Sequence, residues 1–331
     1  MVNTKHAISF TADETRKLDR HRAPATGADP DLVSGLGAIV GPENVRADFE
    51  ARLQYGRDCL PFAKYLYRSG DLPGTLPALV VRPADTAETA GIVALLRGRK
   101  QRLIPAGTGS GVLGGAIPLC EEVVVDTSRM DAIVRIDTEN QLVTVQAGMN
   151  GGDFEAALNE AGWTAGHYPQ SINISTVGGW AACRGGGQAS SRYGKIEDIV
   201  TGLTVVLPDS RVLRIAPQAR RAVGPSVKDL FVGSEGTLGI ITELTMRIWP
   251  LPETTEAEKA LALEIAAEEG GKIGPSAPME QWRATRYVSA SASWTEKGYF
   301  MDTVEVTLPW SRLVEAYERM VGEMYERGKA L

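Results

Sequence analysis

Three glycine-rich stretches carry the residue types that could hold a ligand. The first, PAGTGSGVLGGAIP at 105–118, alternates glycine with Thr108 and Ser110. Such a loop lets successive backbone amides converge on one point and bind an anion without a basic side chain. Glycine suits it because a Cβ would block the approach and because several φ values must be positive. The second, HYPQSINISTVGGWAACRGGGQASSRYGKIEDIV at 167–200, mixes small residues with apolar ones. Ser171, Asn173, Ser175 and Thr176 offer short donors and acceptors there, and Gly178 and Gly179 offer unshielded amides. Backbone could therefore pass close to a flat ligand. Ile172, Ile174, Val177 and Trp180 argue against a disordered linker, which has little reason to carry them. The third, GSEGTLGIITELTMRI at 233–248, sets glycines ahead of a β-forming run and by itself reads only as turn and strand.

The first stretch contains a literal GxGxxG at Gly109, Gly111 and Gly114. In a Rossmann unit the third glycine opens a helix whose N-terminus holds the diphosphate. Here Gly115 and Pro118 follow, and the next element is the strand-like EEVVVD. The loop alone is expected to bind the anion, and an NAD-dependent dehydrogenase is set aside. Histidines number three (His6, His21, His167), too few for a histidine-rich metal site. The three cysteines (Cys59, Cys120, Cys183) never form CxxC, which suits free thiols in a reducing, cytoplasmic setting.

The elements that must position these stretches are legible as well. ALVVRP at 78–83 reads as a strand, IVALLR lies in a helix of about 13 residues opened by a capping-box-like Asp85 and Glu88, and RLIPAG is a second strand. That is a βαβ unit with parallel strands. EEVVVD (121–126), AIVRI (132–136) and QLVTVQAG (141–148) follow as strands. GGDFEAALNEAGW reads as a short helix with Phe154, Leu158 and Trp163 on one face. TGLTVVLP and RVLRIA are strands joined by a turn at Pro208-Asp209-Ser210, and LGIITELTMRIW is another. One parallel crossover with many antiparallel-looking strands predicts an α+β fold.

Domain organisation follows these textures. Residues 1–74 read as an N-terminal extension with short helices around 31–53, 75–250 as the ligand-binding domain, and 251–331 as a partial cap. In the last part VEVTLP (304–309) is a strand candidate. SRLVEAYERMVGEMYERG is an amphipathic helix with Leu313, Ala316, Tyr317, Met320 and Met324 on one face. The passage 264–282 reads as if material were absent.

Composition bounds the rest. The chain has 331 residues, 43% hydrophobic and 23% charged, as expected of a globular protein with a large core. A net charge of −6 argues against a nucleic-acid or anionic-membrane partner. No run approaches the roughly 18 apolar residues of a membrane span.

Taken in series, the three stretches resemble the FAD-binding domain of the PCMH-type, vanillyl-alcohol-oxidase-like flavoproteins. The likeness is greatest to the FAD-linked oxidases grouped with D-lactate and glycolate dehydrogenases and alkyldihydroxyacetonephosphate synthase. It covers 75–250 well, and YGRDCLP (55–61) and 304–327 more weakly. STVGGWAACRGGGQASSRYGKIEDIV is similar to the synthase branch, and GSEGTLGIITE to the whole family. The resemblance implies a two-subdomain FAD-binding domain followed by a partial α/β cap. It implies that Pro105, Ala106, Gly107, Thr108, Gly109, Ser110 and Gly111 cradle the FAD diphosphate. Gln170, Ser171, Ile172, Asn173, Ile174, Ser175 and Thr176, with Gly178 and Gly179, would line the flavin and ribityl chain. Cys183, Arg184, Gly185 and Gly186 would add backbone contacts, and Glu235, Gly236, Ile240 and Ile241 would grip the adenosine end.

Relatives that tether FAD do so through a histidine in the diphosphate loop. This loop has none, so the implied FAD is non-covalent. His167 is expected to be a hydrogen-bonded structural residue rather than a flavin neighbour, and Cys183 a packing residue rather than a redox thiol. The family's acid/base residues lie largely in the C-terminal half, so no catalytic residue is carried over; Arg283, Arg286 and Tyr287 are expected to be solvated. The implied activity is an FAD-linked oxidase or dehydrogenase acting on a small anionic 2-hydroxy acid. A synthase of ether-lipid synthesis and a non-catalytic FAD-binding fragment are the alternatives, with a homodimer compatible with any of them.

Overall fold

A computed structural model describes residues 10–23, 28–218, 222–252, 256–272, 274–285 and 310–328. The chain forms two units, Met1–Ser289 and Ala290–Leu331. In the first unit, strands β1 (Val45–Arg46), β2 (Leu79–Val81), β3 (Leu103–Ala106) and β4 (Val123–Asp126) make one sheet in the order β1-β2-β4-β3. β4 runs parallel to both β2 and β3, while β1 is antiparallel to β2. Every residue of β2 and β4 is buried, which is why Leu79–Val81 and Val123–Val125 run apolar without alternation, with the buried Asp126 closing β4.

Four helices precede the crossover: α1 (Ala12–Leu18), α2 (Pro30–Val40), α3 (Phe49–Tyr55) and α4 (Pro61–Ser69). The crossover is α5 (Thr86–Gly98). Its N-cap Asp85 accepts from the Glu88 amide at 2.8 Å, but Glu88 reaches back to the Ala84 amide at 2.7 Å, one residue short of a full capping box. Beyond α5, Lys100 takes φ +55°. Its amide donates to Arg97 O at 3.0 Å and the next amide, Gln101 N, to Leu96 O at 2.9 Å, a left-handed stop without glycine. α5 buries Ile92, Val93 and Leu96 against Leu36 and Val40 of α2, so residues ahead of 75 share this core.

The second sheet is antiparallel throughout. Its strands are β5 (Ile133–Asp137), β6 (Leu142–Gln146), β8 (Val200–Val206), β9 (Val212–Ile215) and β10 (Ile240–Arg247), in the order β5-β6-β10-β8-β9. It packs on α6 (Gly151–Glu160) and α7 (Val177–Ala182) through Val143, Val145, Phe154, Leu158, Trp180 and Leu244. Val206 and Ile240 join the α2–α5 core, so the two sheets meet across α5.

One feature differs from the sequence reading. Trp163 leaves the face of Phe154 and Leu158, because Gly162 turns at φ +82° and Trp163–Thr164 becomes β7, paired with β11 (Trp249–Pro250). Further on, Glu256–Glu268 and Ala277–Thr285 form helices. In the second unit, helix Trp310–Gly328 leaves Val314, Tyr317, Val321 and Met324 exposed. The strand expected at 304–309, Arg286, Tyr287 and the side chains of Arg283 and Leu313 lie outside the described residues. Among the described residues no helix is long and apolar enough to cross a membrane.

Candidate cofactor-binding site

β3 delivers the first glycine stretch. It ends at Ala106, and residues 107–122 run as a loop to β4 with no helix between. Gly109 and Gly114 take φ +71° and +83°, where a Cβ is strained. Among the described residues the amides of Thr108, Gly109, Ser110 and Gly111 donate no hydrogen bond, so four successive donors stand free on one loop. An anion completes such a set. The loop thus fits a diphosphate on its own geometry, without a helix or a cation.

The second stretch lies against it. Thr108 Oγ1 donates to the Ile174 carbonyl, and a Cβ on Gly107 would stand 2.6 Å from Thr176 Oγ1. Asn150, the N-cap of α6, fixes the same stretch by donating its side-chain amide to Asn173 O at 3.0 Å. Gln170, Asn173 and Ile174 are exposed and Ser171 half-buried. Ile172 packs in the core, Ser175 receives the Trp180 indole N–H at 2.7 Å, and Thr176 caps α7. Gly178 is closed off by Ala147, whose backbone oxygen its Cβ would meet at 2.7 Å, while Gly179 is half-buried. The side chains turned outward are therefore those of 170, 171, 173 and 174.

The third stretch closes the far side. The amides of Gly233 and Glu235 donate to the carbonyls of Ala181 and Ala182 at 2.9 and 3.0 Å. Gly236, at φ +82°, lies so close to β3 that a Cβ would stand 2.3 Å from Pro105 Cγ. Glu235 Oε2 comes within 2.8 Å of where a Cβ on Gly115 would be. Ile240 and Ile241 open β10 with their side chains in the two cores, leaving only backbone to offer. Arg184 (φ +54°) bonds Glu197 at 3.2 Å, and Gly185 donates to Trp180 O at 3.0 Å. Gly186 is exposed. All three stretches thus meet around the 107–111 loop.

Two side chains differ from expectation. His167 is wholly buried and neither ring nitrogen has a hydrogen-bond partner among the described residues. Burial holds its imidazole down to about 4 despite the opposing charge of Glu197. Cys183 keeps part of its surface open, yet its thiol is sheltered: desolvation first, then the charges of Glu235 and Asp58, push it up.

The floor of the loop carries little signal in the sequence. Cys59 N donates to Gly111 O at 2.7 Å, and a Cβ on Gly109 would lie 3.4 Å from Arg57 O and 3.9 Å from Asp58 Cα. Of these residues only the faint likeness of YGRDCLP gave any signal.

Comparison with known proteins agrees with this geometry. The FAD binding domain family model matches residues 77–216. Alkyldihydroxyacetonephosphate synthase of Caenorhabditis elegans is 37% identical over 190 residues, covering 56% of this chain and 32% of that protein. The glycolate oxidase subunit GlcD of Bacillus subtilis is 34% identical over 238 residues, covering 72% of this chain and 48% of that protein. A solved alkyldihydroxyacetonephosphate synthase superposes with a TM-score of 0.64 at 28% identity, over 77% of this chain and 47% of the other. The chain thus spans half or less of the length of these relatives. With three glycine stretches meeting around a loop of free amides, and with this match, residues 77–216 form an FAD binding domain, and FAD is the cofactor of the chain.

Proposed function

We propose that the protein is an FAD-dependent oxidoreductase that oxidises a small anionic 2-hydroxy acid of the D-lactate or glycolate type. The observation that carries this reading is the row of free amides from Thr108 to Gly111, set beside the outward-facing Ile174. Bound FAD supplies the acceptor for the hydride of the carbinol carbon. The chain's own part is to seat the diphosphate on the loop and to present the 170–174 stretch to the ring. At the other end, the backbone of 235–241 holds the adenosine. No histidine lies in the loop, so attachment is non-covalent. The likeness to a glycolate oxidase subunit supports the substrate class.

A second reading has its own support. The 175–200 stretch resembles the synthase branch, and a synthase structure superposes on most of this chain. An ether-lipid synthase would use the same cofactor for an acyl-for-alkyl exchange. Anaerobic titration separates the two. Bleaching of the flavin band by D-lactate or glycolate is the expected result; an unchanged spectrum with every hydroxy acid tried removes the oxidoreductase reading. Heat denaturation should leave flavin in the supernatant, and yellow precipitate would contradict non-covalent binding.

A further inference from the structure

Asp58 lies against the 109–111 part of the loop that carries the free amides. It is 1% exposed, and its Oδ2, 3.9 Å from where a Cβ on Gly111 would stand, completes no well-formed hydrogen bond, although the Gly114 and Ala116 amides lie near enough to favour its charge. Its Oδ1 accepts from Leu60 N at 2.9 Å. A buried carboxylate ordinarily finds a cation or gives up its charge. Among the described residues no ion pair includes Asp58. The neighbouring Arg57 is turned away, its guanidinium carbon 3.6 Å from the centre of the Phe10 ring and 5.6 Å from that of Tyr67.

The other titratable groups around Asp58 do not neutralise it. On its own segment Cys59 has a thiol raised chiefly by burial. From α4, Tyr67 brings a hydroxyl raised by burial and further raised by Asp58, and Lys64 acts on Cys59. From beyond α7 comes Cys183, and from the third stretch Glu235, both close enough for charge coupling around Cys183. Burial lifts the Asp58 carboxyl above its ordinary range, opposed by the amides of Leu60, Gly114 and Ala116.

We propose that Asp58 links FAD retention to a proton: the diphosphate is held most tightly when the carboxyl beside Gly111 is neutral, and binding draws a fraction of a proton from solvent. This rests on the reading that the 107–111 loop seats the diphosphate. Two negative groups held by one short loop repel, so each disfavours the other's charge, and the coupling is reciprocal. Asp58 is on this view a positioning residue with a thermodynamic signature of its own.

The test measures FAD dissociation on dilution of the flavin-loaded protein, by recovery of flavin fluorescence, from pH 5 to pH 8. Wild-type affinity should weaken about tenfold across the window, as expected for coupling worth one pKa unit. Asp58→Asn should bind tightly with no such slope. Equal slopes in both proteins overturn the proposal. Gly109→Val, measured alongside, reports on the loop separately: wild-type retention by that variant removes the loop reading itself. Should Asp58→Asn fail to fold, calorimetry of FAD binding to wild type in two buffers of different ionisation enthalpy decides the matter. Net proton uptake supports the linkage and zero uptake sinks it.

Discussion

The indole of Trp180 meets the imidazole of His167 edge-on, with ring centres 4.8 Å apart and the planes at 63°. His167 is 0% exposed, so its ring is enclosed by the core. Its two nitrogens lack partners, and its folded-state value of about 4 lies below the ordinary 6.5. The unfolded chain therefore takes up a proton that the folded chain refuses. Stability contributed by the neutral ring is fully present above 6.5 and is lost as the pH falls toward 4.

That loss is about 3 kcal/mol. His167→Phe keeps a ring against Trp180 and removes both the proton site and the two orphaned nitrogens. Its denaturation midpoint should match or exceed wild type at pH 7, and its advantage should widen at pH 5. Parallel curves for the two proteins would show that His167 does not titrate in this way.

Glu155 is the opposite case, a buried carboxylate with every partner supplied. It accepts from Thr164 Oγ1, Tyr168 OH, Asn159 Nδ2 and Ala165 N, at 2.5, 2.7, 2.8 and 3.1 Å. These bonds pin residues 164–168, the approach to the second glycine-rich stretch. Glu155→Ala strands several donors and should cost about 3 kcal/mol. Glu155→Gln should cost clearly less, and urea denaturation that ranks the two the other way would contradict this account.

Gly109→Val should abolish FAD retention. At φ +71° a branched residue is strained by about 1–2 kcal/mol, and its Cβ would stand 3.4 Å from Arg57 O, so the loop must shift off the 57–58 segment beneath it. The absorbance ratio of flavin to protein after gel filtration is the readout. Folding is checked separately by circular dichroism, since a misfolded variant would lose FAD for an uninteresting reason.

At the other end of the cofactor, Gly236→Ala should weaken FAD binding about tenfold, corresponding to about 1.4 kcal/mol. The methyl would stand 2.3 Å from Pro105 Cγ, so the 235–241 segment must shift away from β3. An unchanged dissociation constant would mean that this segment does not grip the cofactor.

Local chemistry made much of this fold legible. Asp85 and Glu88 marked the start of α5, and valine runs marked β2 and β4 as parallel strands buried on both faces. The loop at 107–111 was legible because Gly115 and Pro118 forbid a helix there. What escaped depends on distant partners. Trp163 looked helical because its spacing from Phe154 fits, yet its place is set by Trp249 and Pro250, which no local period reveals. Asp58 carried no motif; its meaning comes from the burial of one oxygen beside Gly111. His167 looked like a residue that would find a partner, and only the packing shows that it has none.

β3 lies at the margin of its sheet, paired only with β4. Its third residue is Pro105, which has no amide hydrogen, and Gly236 presses against that proline's ring. A strand margin left bare invites recruitment by another polypeptide. Here a missing donor and an overlying turn blunt that hazard. The same contact that shapes the ligand cleft therefore also guards the protein against uncontrolled self-association.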